Sequence, residues 1–314
     1  MSAAFLAALL LAAQAWSAHP AIAEVRLASP VPPVIPVKRS VVPTAREELG
    51  PIVSAASAVA MDAETGAILF GKRGADVRPL ASITKLVTAM VVADAGVWDH
   101  VIAIDPDDIP AEGHTVFTAG DRVSVRDLFA TLLVGSDNGA ARALARGIGG
   151  GTEEFLARMQ VVAASAGPTF RIADPAGLLP GNIASAVDVA RLARLAFARP
   201  EIRAYATRPS VTVNGRRHGR ERLLVRATNV LVRDGIRTSF RIVGAKTGYI
   251  DESGYNLTFD VVRDGHRVIV VALGSPTSDD RFRDARVLAD WTFRNYVWNS
   301  STSSSDSGTS ASPR

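Results

Sequence analysis

The stretch SAVAMDAETGAILFGKRG, residues 57–74, places two short apolar runs on either side of Asp62-Ala63-Glu64-Thr65-Gly66, a cluster of turn-forming residues. Short apolar runs bounded by such a cluster predict a β-hairpin. Three stretches late in the chain also read as strands: FRIVGAKTG (240–248), YNLTFDVV (255–262) and HRVIVVALG (266–274), the last two joined by Arg263-Asp264-Gly265. SVTVNGRRH carries Asn214-Gly215, a hairpin-turn signal. The simplest assembly unites the early hairpin and the late strands in one antiparallel sheet.

The middle of the chain reads as helix. Ser82 to Ala95 forms one helix, ended by Gly96. Ser124-Val125-Arg126-Asp127 resembles a capping box and opens a second, to Val134. Gly135 to Gly139 is a break, and an Ala-rich helix follows from Ala140 to Ile148. Thr152-Glu153-Glu154 caps the next, to Ala166, and Ser185 opens one over 186–198 that Pro200 stops. Residues 279–298 form a closing helix. The expected fold class is therefore α/β, or more strictly α+β: an antiparallel sheet carrying the terminal helix, beside a helical lobe.

The chain has 314 residues, 47% hydrophobic and 21% charged, which is ample for a core. The formal net charge of +4 is small, and the basic run NGRRHGRER (214–222) comes with no nucleic-acid motif, so a solvated face or hairpin is expected there, with an anionic-ligand patch as the alternative, and no nucleic-acid partner. The absence of cysteine excludes disulfides, thiolate catalysis and Cys-ligated metals. The histidines show no metal-ligand spacing. Residues 1–23 lack charge, hold an apolar stretch from Ala3 to Ala15 too short to span a bilayer, and end in Ala21-Ile22-Ala23, which fits a secretory signal peptide. Residues 24–53 hold six prolines and read as a linker. Residues 299–314 are Ser-rich and cannot supply a core. The folded domain is expected over 54–298. No stable membrane anchor is expected once the signal is removed, which puts the protein in the periplasm or cell-wall space.

The chain has four lysines, at 38, 72, 85 and 246. In LASITKLVTAM (80–90), Ser82 and Lys85 stand three apart, on one face of a helix. A lysine among apolar neighbours has a lowered pKa, and a neutral amine beside a hydroxyl can take its proton. An arginine never deprotonates and could not serve. Ser136-Asp137-Asn138 lies in the break between two helices, and Lys246-Thr247-Gly248 closes the strand FRIVGA, where cation, hydroxyl and glycine suit a carboxylate anchor. Each pattern alone is weak, and the first two read better as a cap or a snorkelling side chain. Together and in this order, S-x-x-K, S-D-N and K-T-G are the signature of penicillin-binding proteins and class A β-lactamases.

The surrounding segments RPLASITKLVTAMVVADAG, LLVGSDNGAARALA, DPAGLLPGNIASAVDVARLARLA and GAKTGYIDESGYNLTFDVVRDGHRVIVVALG resemble the D-alanyl-D-alanine carboxypeptidase family of low-molecular-mass penicillin-binding proteins, serine peptidase family S11. The resemblance covers roughly residues 54–295 and implies a β-lactamase/transpeptidase-like fold. It implies that Ser82 is the acylated nucleophile, Lys85 its general base and Ser136 a proton relay. Asn138 would bind the substrate amide. Lys246 and Thr247 would hold the terminal carboxylate, with Gly248 beside them. The oxyanion hole would be the backbone N–H groups of Ser82 and Tyr249, and Arg281 would support the region. No metal and no organic cofactor are implied. The implied substrates are peptidoglycan stem peptides, with β-lactams as covalent inhibitors.

Many family members carry a further β-rich domain and an amphipathic membrane-lying helix, which this sequence does not show. Compact members include endopeptidases that cut D-alanyl cross-links, so that activity stands as the alternative to a carboxypeptidase. A class A β-lactamase would need a glutamate in an E-x-x-x-N context. Glu153, Glu154 and Glu201 lie between the second and third motifs, and none has that context. A β-lactam or peptidoglycan sensor without turnover is the non-enzymatic alternative.

Overall fold

The computed structural model describes residues 44, 45, 50–217 and 220–298. The expected signal peptide, most of the linker and the Ser-rich tail lie outside the described residues. In chain order the strands are β1 (Thr44–Ala45), β2 (Ser57–Asp62), β3 (Ile68–Lys72), β4 (Val77–Pro79), β5 (Val101–Ala103), β6 (Arg122–Ser124), β7 (Ile183–Ser185), β8 (Ser210–Arg217), β9 (Arg220–Arg226), β10 (Arg241–Ile250), β11 (Gly254–Arg263), β12 (His266–Ser275) and β13 (Tyr296–Val297). The helices are α1 (Lys85–Ala95), α2 (Val125–Val134), α3 (Asn138–Gly147), α4 (Thr152–Ala166), α5 (Ala186–Ala198), α6 (Pro200–Ala206), α7 (Val230–Arg233) and α8 (Ser278–Asn295).

The early hairpin and the late strands share one antiparallel sheet of order β10-β11-β12-β2-β3. β2 is buried along its whole length because it sits between β12 and β3. Its alternate side chains feed two cores, as the two-residue period of a strand requires. Val59 and Met61, opposite Val271 and Ile269, point into the larger core with the helical lobe. Ala58 and Ala60, opposite Ala272 and Val270, point into the smaller core. There α8 lays down Phe282, Ala285, Leu288 and Ala289. Full burial of one such large apolar side chain stabilises the fold by roughly 1.5–3 kcal/mol.

The lobe is built around α1, whose residues Lys85 to Val92 are all buried. A helix apolar on every side belongs inside a bundle, and α2, α4, α5 and α6 surround it. Ser124 and Ser185 cap α2 and α5 by accepting the N–H of Asp127 and Asp188. The Gly149–Gly151 segment, all at positive φ, is a turn between α3 and α4.

Several expected boundaries are corrected. The helix expected from Ser82 begins only at Lys85, and Ala81–Thr84 is a 3-10 turn. Tertiary hydrogen bonds fix that turn, from Leu80 N–H to the Asn182 carbonyl (2.8 Å) and from Asn256 Nδ2 to the Leu80 carbonyl (3.1 Å). The helix expected over 186–198 has those bounds, but Pro200 does more than follow it: it opens α6, occupying the first turn, where no N–H is needed. Asn214-Gly215 is strand, not turn: β8 runs on to Arg217, with an irregularity between Asn214 and Arg217. Asn214 is held there by Asp127, which accepts its backbone N–H and its Nδ2, both at 3.3 Å. The β8–β9 hairpin packs on α2 and stays separate from the main sheet. The closing helix stops at Asn295, and β13 then pairs with β1. Among the described residues no helix is long and apolar enough to cross a membrane.

Candidate active site

Ser82 lies on the 3-10 turn and Lys85 on the first residue of α1, so their i, i+3 spacing brings them together. The turn is pressed between two glycines. A Cβ on Gly248 of β10 would stand 2.8 Å from the Leu80 carbonyl and 3.1 Å from Ser82 N. Gly177, at φ +79°, packs so closely that a Cβ would overlap the Ala81 carbonyl. Ala81 itself holds φ +50°, a left-handed conformation unusual for a residue with a Cβ. The serine is thus presented by a turn that the surroundings over-determine.

Lys85 is fully buried. Its Nζ lies 2.8 Å from Ser82 Oγ, 2.7 Å from Asn138 Oδ1 and 2.5 Å from the Ala176 carbonyl. Burial pushes its pKa down to about 7, while the carboxylates of Asp174 and Asp137 pull it back up. With Asn138 and Ala176 accepting two N–H bonds, a neutral amine has its lone pair left for the Ser82 hydroxyl. The Ala176 carbonyl is held in place by Asp174. That carboxylate accepts the backbone N–H groups of Ala176 (2.7 Å), Gly177 (2.8 Å), Leu178 (3.2 Å) and Leu179 (2.7 Å), and Asn182 Nδ2 at 2.6 Å.

Ser136 sits between α2 and α3 at φ +57°, a second left-handed non-glycine residue. The strain is held by its neighbour Asp137, which caps α3 through Ala140 N (2.8 Å) and accepts Val116 N (2.7 Å). Lys246 Nζ donates to Ser136 Oγ at 2.7 Å and to the Thr247 carbonyl at 2.8 Å. Burial, then the charges of Lys85 and Arg281, hold the Lys246 amine well below the ordinary lysine range. Thr247 is buried, and its Oγ1 lies 2.6 Å from Thr228 Oγ1. Arg281 donates to the Gly248 carbonyl (3.2 Å) and lies over the Tyr255 ring. Burial pushes its guanidinium down to about 10.

The structure therefore brings Ser82, Lys85, Ser136, Asn138, Lys246, Thr247 and Gly248 together. K-T-G lies in the middle of β10, not at its end. β10 is an edge strand of its sheet, able to offer one free edge to an extended ligand. Tyr249 follows on that strand, but its side chain is exposed, stacks on Tyr255 and donates to Asp251 at 2.5 Å. Asn138 Oδ1 is taken by Lys85, so the group it has left to offer is its Nδ2 donor. Glu154 pairs with Arg158 on the surface of α4, and Glu153 and Glu201 are exposed. Ala176, Asp174 and Thr228 were not singled out from sequence. The first two have a legible signal in the Asp-Pro-x-Gly turn at 174–177, whereas Thr228 has none.

Known proteins resemble this chain in sequence and in fold. The D-alanyl-D-alanine endopeptidase of Pseudomonas aeruginosa is 32% identical over 76% of this chain and 77% of its own length. The D-alanyl-D-alanine carboxypeptidase DacD of Salmonella typhimurium is 34% identical over 79% of this chain, which spans 65% of that relative's length. The structure of penicillin-binding protein D2 from Listeria monocytogenes in its ampicillin-bound form superposes with a TM-score of 0.69 at 26% identity, covering 78% of this chain and all of that one. The model of the D-alanyl-D-alanine carboxypeptidase family, peptidase S11, matches residues 44–277. The chain therefore belongs to the D-alanyl-D-alanine carboxypeptidase family of serine peptidases.

Proposed function

We propose that the protein is a serine-type D-alanyl-D-alanine carboxypeptidase that trims peptidoglycan stem peptides through an acyl-enzyme and is acylated by β-lactams. The observation that carries this is the buried Lys85 amine, lowered to about 7 and 2.8 Å from Ser82 Oγ. Neutral Lys85 takes the Ser82 proton as Oγ attacks the carbonyl of the penultimate residue. The oxyanion forms against the N–H groups of Ser82 and Tyr249, brought near each other by the close approach at Gly248. Ser136, bonded to Lys246, passes a proton to the leaving amine. Lys246 and Thr247 hold the terminal carboxylate, and Asn138 Nδ2 the substrate amide. Water then releases the acyl group, with Lys85 or Ser136 again handling the proton. The family and the β-lactam-bound structural relative support peptidoglycan and β-lactams as ligands.

The protein acts on the wall side of the membrane, exported by residues 1–23 and carried on a 24–53 linker, with the catalytic domain over 54–298 and the 299–314 tail beyond it. A second reading, cleavage of D-alanyl cross-links, is favoured by the endopeptidase relative, of which this chain spans the larger share. Mass spectrometry of a pentapeptide monomer and a cross-linked dimer, incubated with residues 24–314 and with Ser82→Ala, tests both. Loss of one terminal alanine from the monomer establishes the carboxypeptidase. Conversion of dimer to monomers establishes the endopeptidase. No change in either leaves a β-lactam-binding sensor.

A further inference from the structure

We infer that the outward face of β9 is a subsite for the leaving-group side of a cross-linked substrate, taking an acidic second stem peptide along Thr228, Arg226, Leu224 and Arg222. This deepens the endopeptidase reading and rests on it. Direction comes first. Along β10 the carboxylate anchor at Lys246 and Thr247 lies on the N-terminal side of the oxyanion donor at Tyr249. A substrate with its carbonyl at the donor and its carboxylate at the anchor runs toward whatever flanks Thr247. That neighbour is Thr228, at 2.6 Å between hydroxyls.

Thr228 follows directly on β9. Ala227 N–H still bonds the Pro209 carbonyl, so the pleat continues past Arg226, and residues 222, 224, 226 and 228 share a face. Val225 and Leu223 point the other way, into the core, Val225 against Gly135 and Leu223 against Gly215. The shared face is open: Arg222 and Arg226 are exposed, and Leu224 is 58% exposed. Neither arginine enters an ion pair with another described residue. Two carboxylates beside the hairpin have other hydrogen-bonded partners: Asp127 accepts from Asn214 of β8, and Asp234, which also feels the charge of Arg226, pairs with Arg233. At about 3.3 Å per residue, Arg226 lies about 7 Å and Arg222 about 20 Å along the strand from Thr228. A four-residue stem extends about 14 Å, so it passes Arg226 and ends about 6 Å short of Arg222, within reach of that side chain. A single terminal D-alanine is too short to reach either.

The test compares the wild type with Arg222→Glu/Arg226→Glu, and with Arg222→Gln/Arg226→Gln, using a pentapeptide monomer, a cross-linked dimer and a fluorescent penicillin. The expected result is a drop of about tenfold or more in the dimer-to-monomer ratio of kcat/KM for the charge reversal, with a smaller drop for the glutamine pair. Added salt should lower the wild-type ratio but not that of the reversed variant. An unchanged ratio, or equal losses on both substrates, overturns the subsite. So does a wild type that labels with penicillin and trims monomer but leaves dimer intact. If the ratio holds while the reversed variant loses adsorption to isolated wall polymer, the face binds polymer and the subsite is wrong. A wild type that is not labelled at Ser82 sinks the peptidase reading itself, a distinguishable result.

Discussion

The rate at which a β-lactam acylates Ser82 should rise with pH and reach half its maximum near pH 7. Only the neutral Lys85 amine has a lone pair for the serine proton, and its pKa is about 7. The neutral fraction is then roughly 1% at pH 5, about half at pH 7 and roughly 99% at pH 9, a rise of about a hundredfold. At the ordinary lysine value the neutral fraction at pH 7 would be only about 0.03%, so burial of the amine is the equivalent of about 5 kcal/mol of deprotonation. Stopped-flow acylation by a fluorescent penicillin between pH 5 and 9 measures the profile. Lys85→Arg, which keeps a cation but cannot deprotonate, should abolish it. A flat profile, or a midpoint near 10, would refute the reasoning. The same shift bears on stability. Because the folded pKa lies below the unfolded one, the penalty of burying Lys85 is full below about pH 7 and fades as pH rises toward the unfolded value.

Asp174→Asn removes a charge that raises the Lys85 pKa, so the midpoint of that profile should move below 7, and acylation should slow as the carbonyl of Ala176 loses its backbone clamp. Gly248→Ala should lower the acylation rate by about a hundredfold, as a methyl group displaces β10 from the nucleophile's turn. Its folding stability should fall by about 1–3 kcal/mol, measured by urea unfolding. Phe197→Ala empties a fully buried site against which Gly244 of β10 packs. It should destabilise by about 3–5 kcal/mol, read as a lower Tm.

Much of the architecture was legible because it follows from periodicity and caps. The two apolar runs around Asp62–Gly66 and the strands at 255–274 lie in one sheet, and Ser124 and Ser185 mark helix starts. The three motifs were legible because chemistry restricts their letters. What escaped was set by contacts between distant segments. Pro200 marks the end of α5 as it reads, but the same residue also suits the first turn of α6, which was not foreseen. Asn214-Gly215 reads as a turn, but Asp127 holds Asn214 within the strand. The carbonyl of Ala176 is a backbone atom, so no side-chain letter announces it as a partner of Lys85. Thr228 meets Thr247 only once the segment that follows β9 has reached β10.

The seam between β2 and β12 has a consequence for the order of assembly. Met61 pairs with Ile269, so this ladder joins segments that the whole helical lobe separates in sequence. Such distant pairing closes slowly, because the long loop between must be confined first. The helical lobe can collapse on its own local contacts while β2 and β3 wait for their partner. Ser82 comes just after β4, and Gly248 must arrive on β10 before its turn is gripped. Covalent labelling by penicillin therefore reports on assembly: a molecule that reacts already has β10 in place against the turn of Ser82.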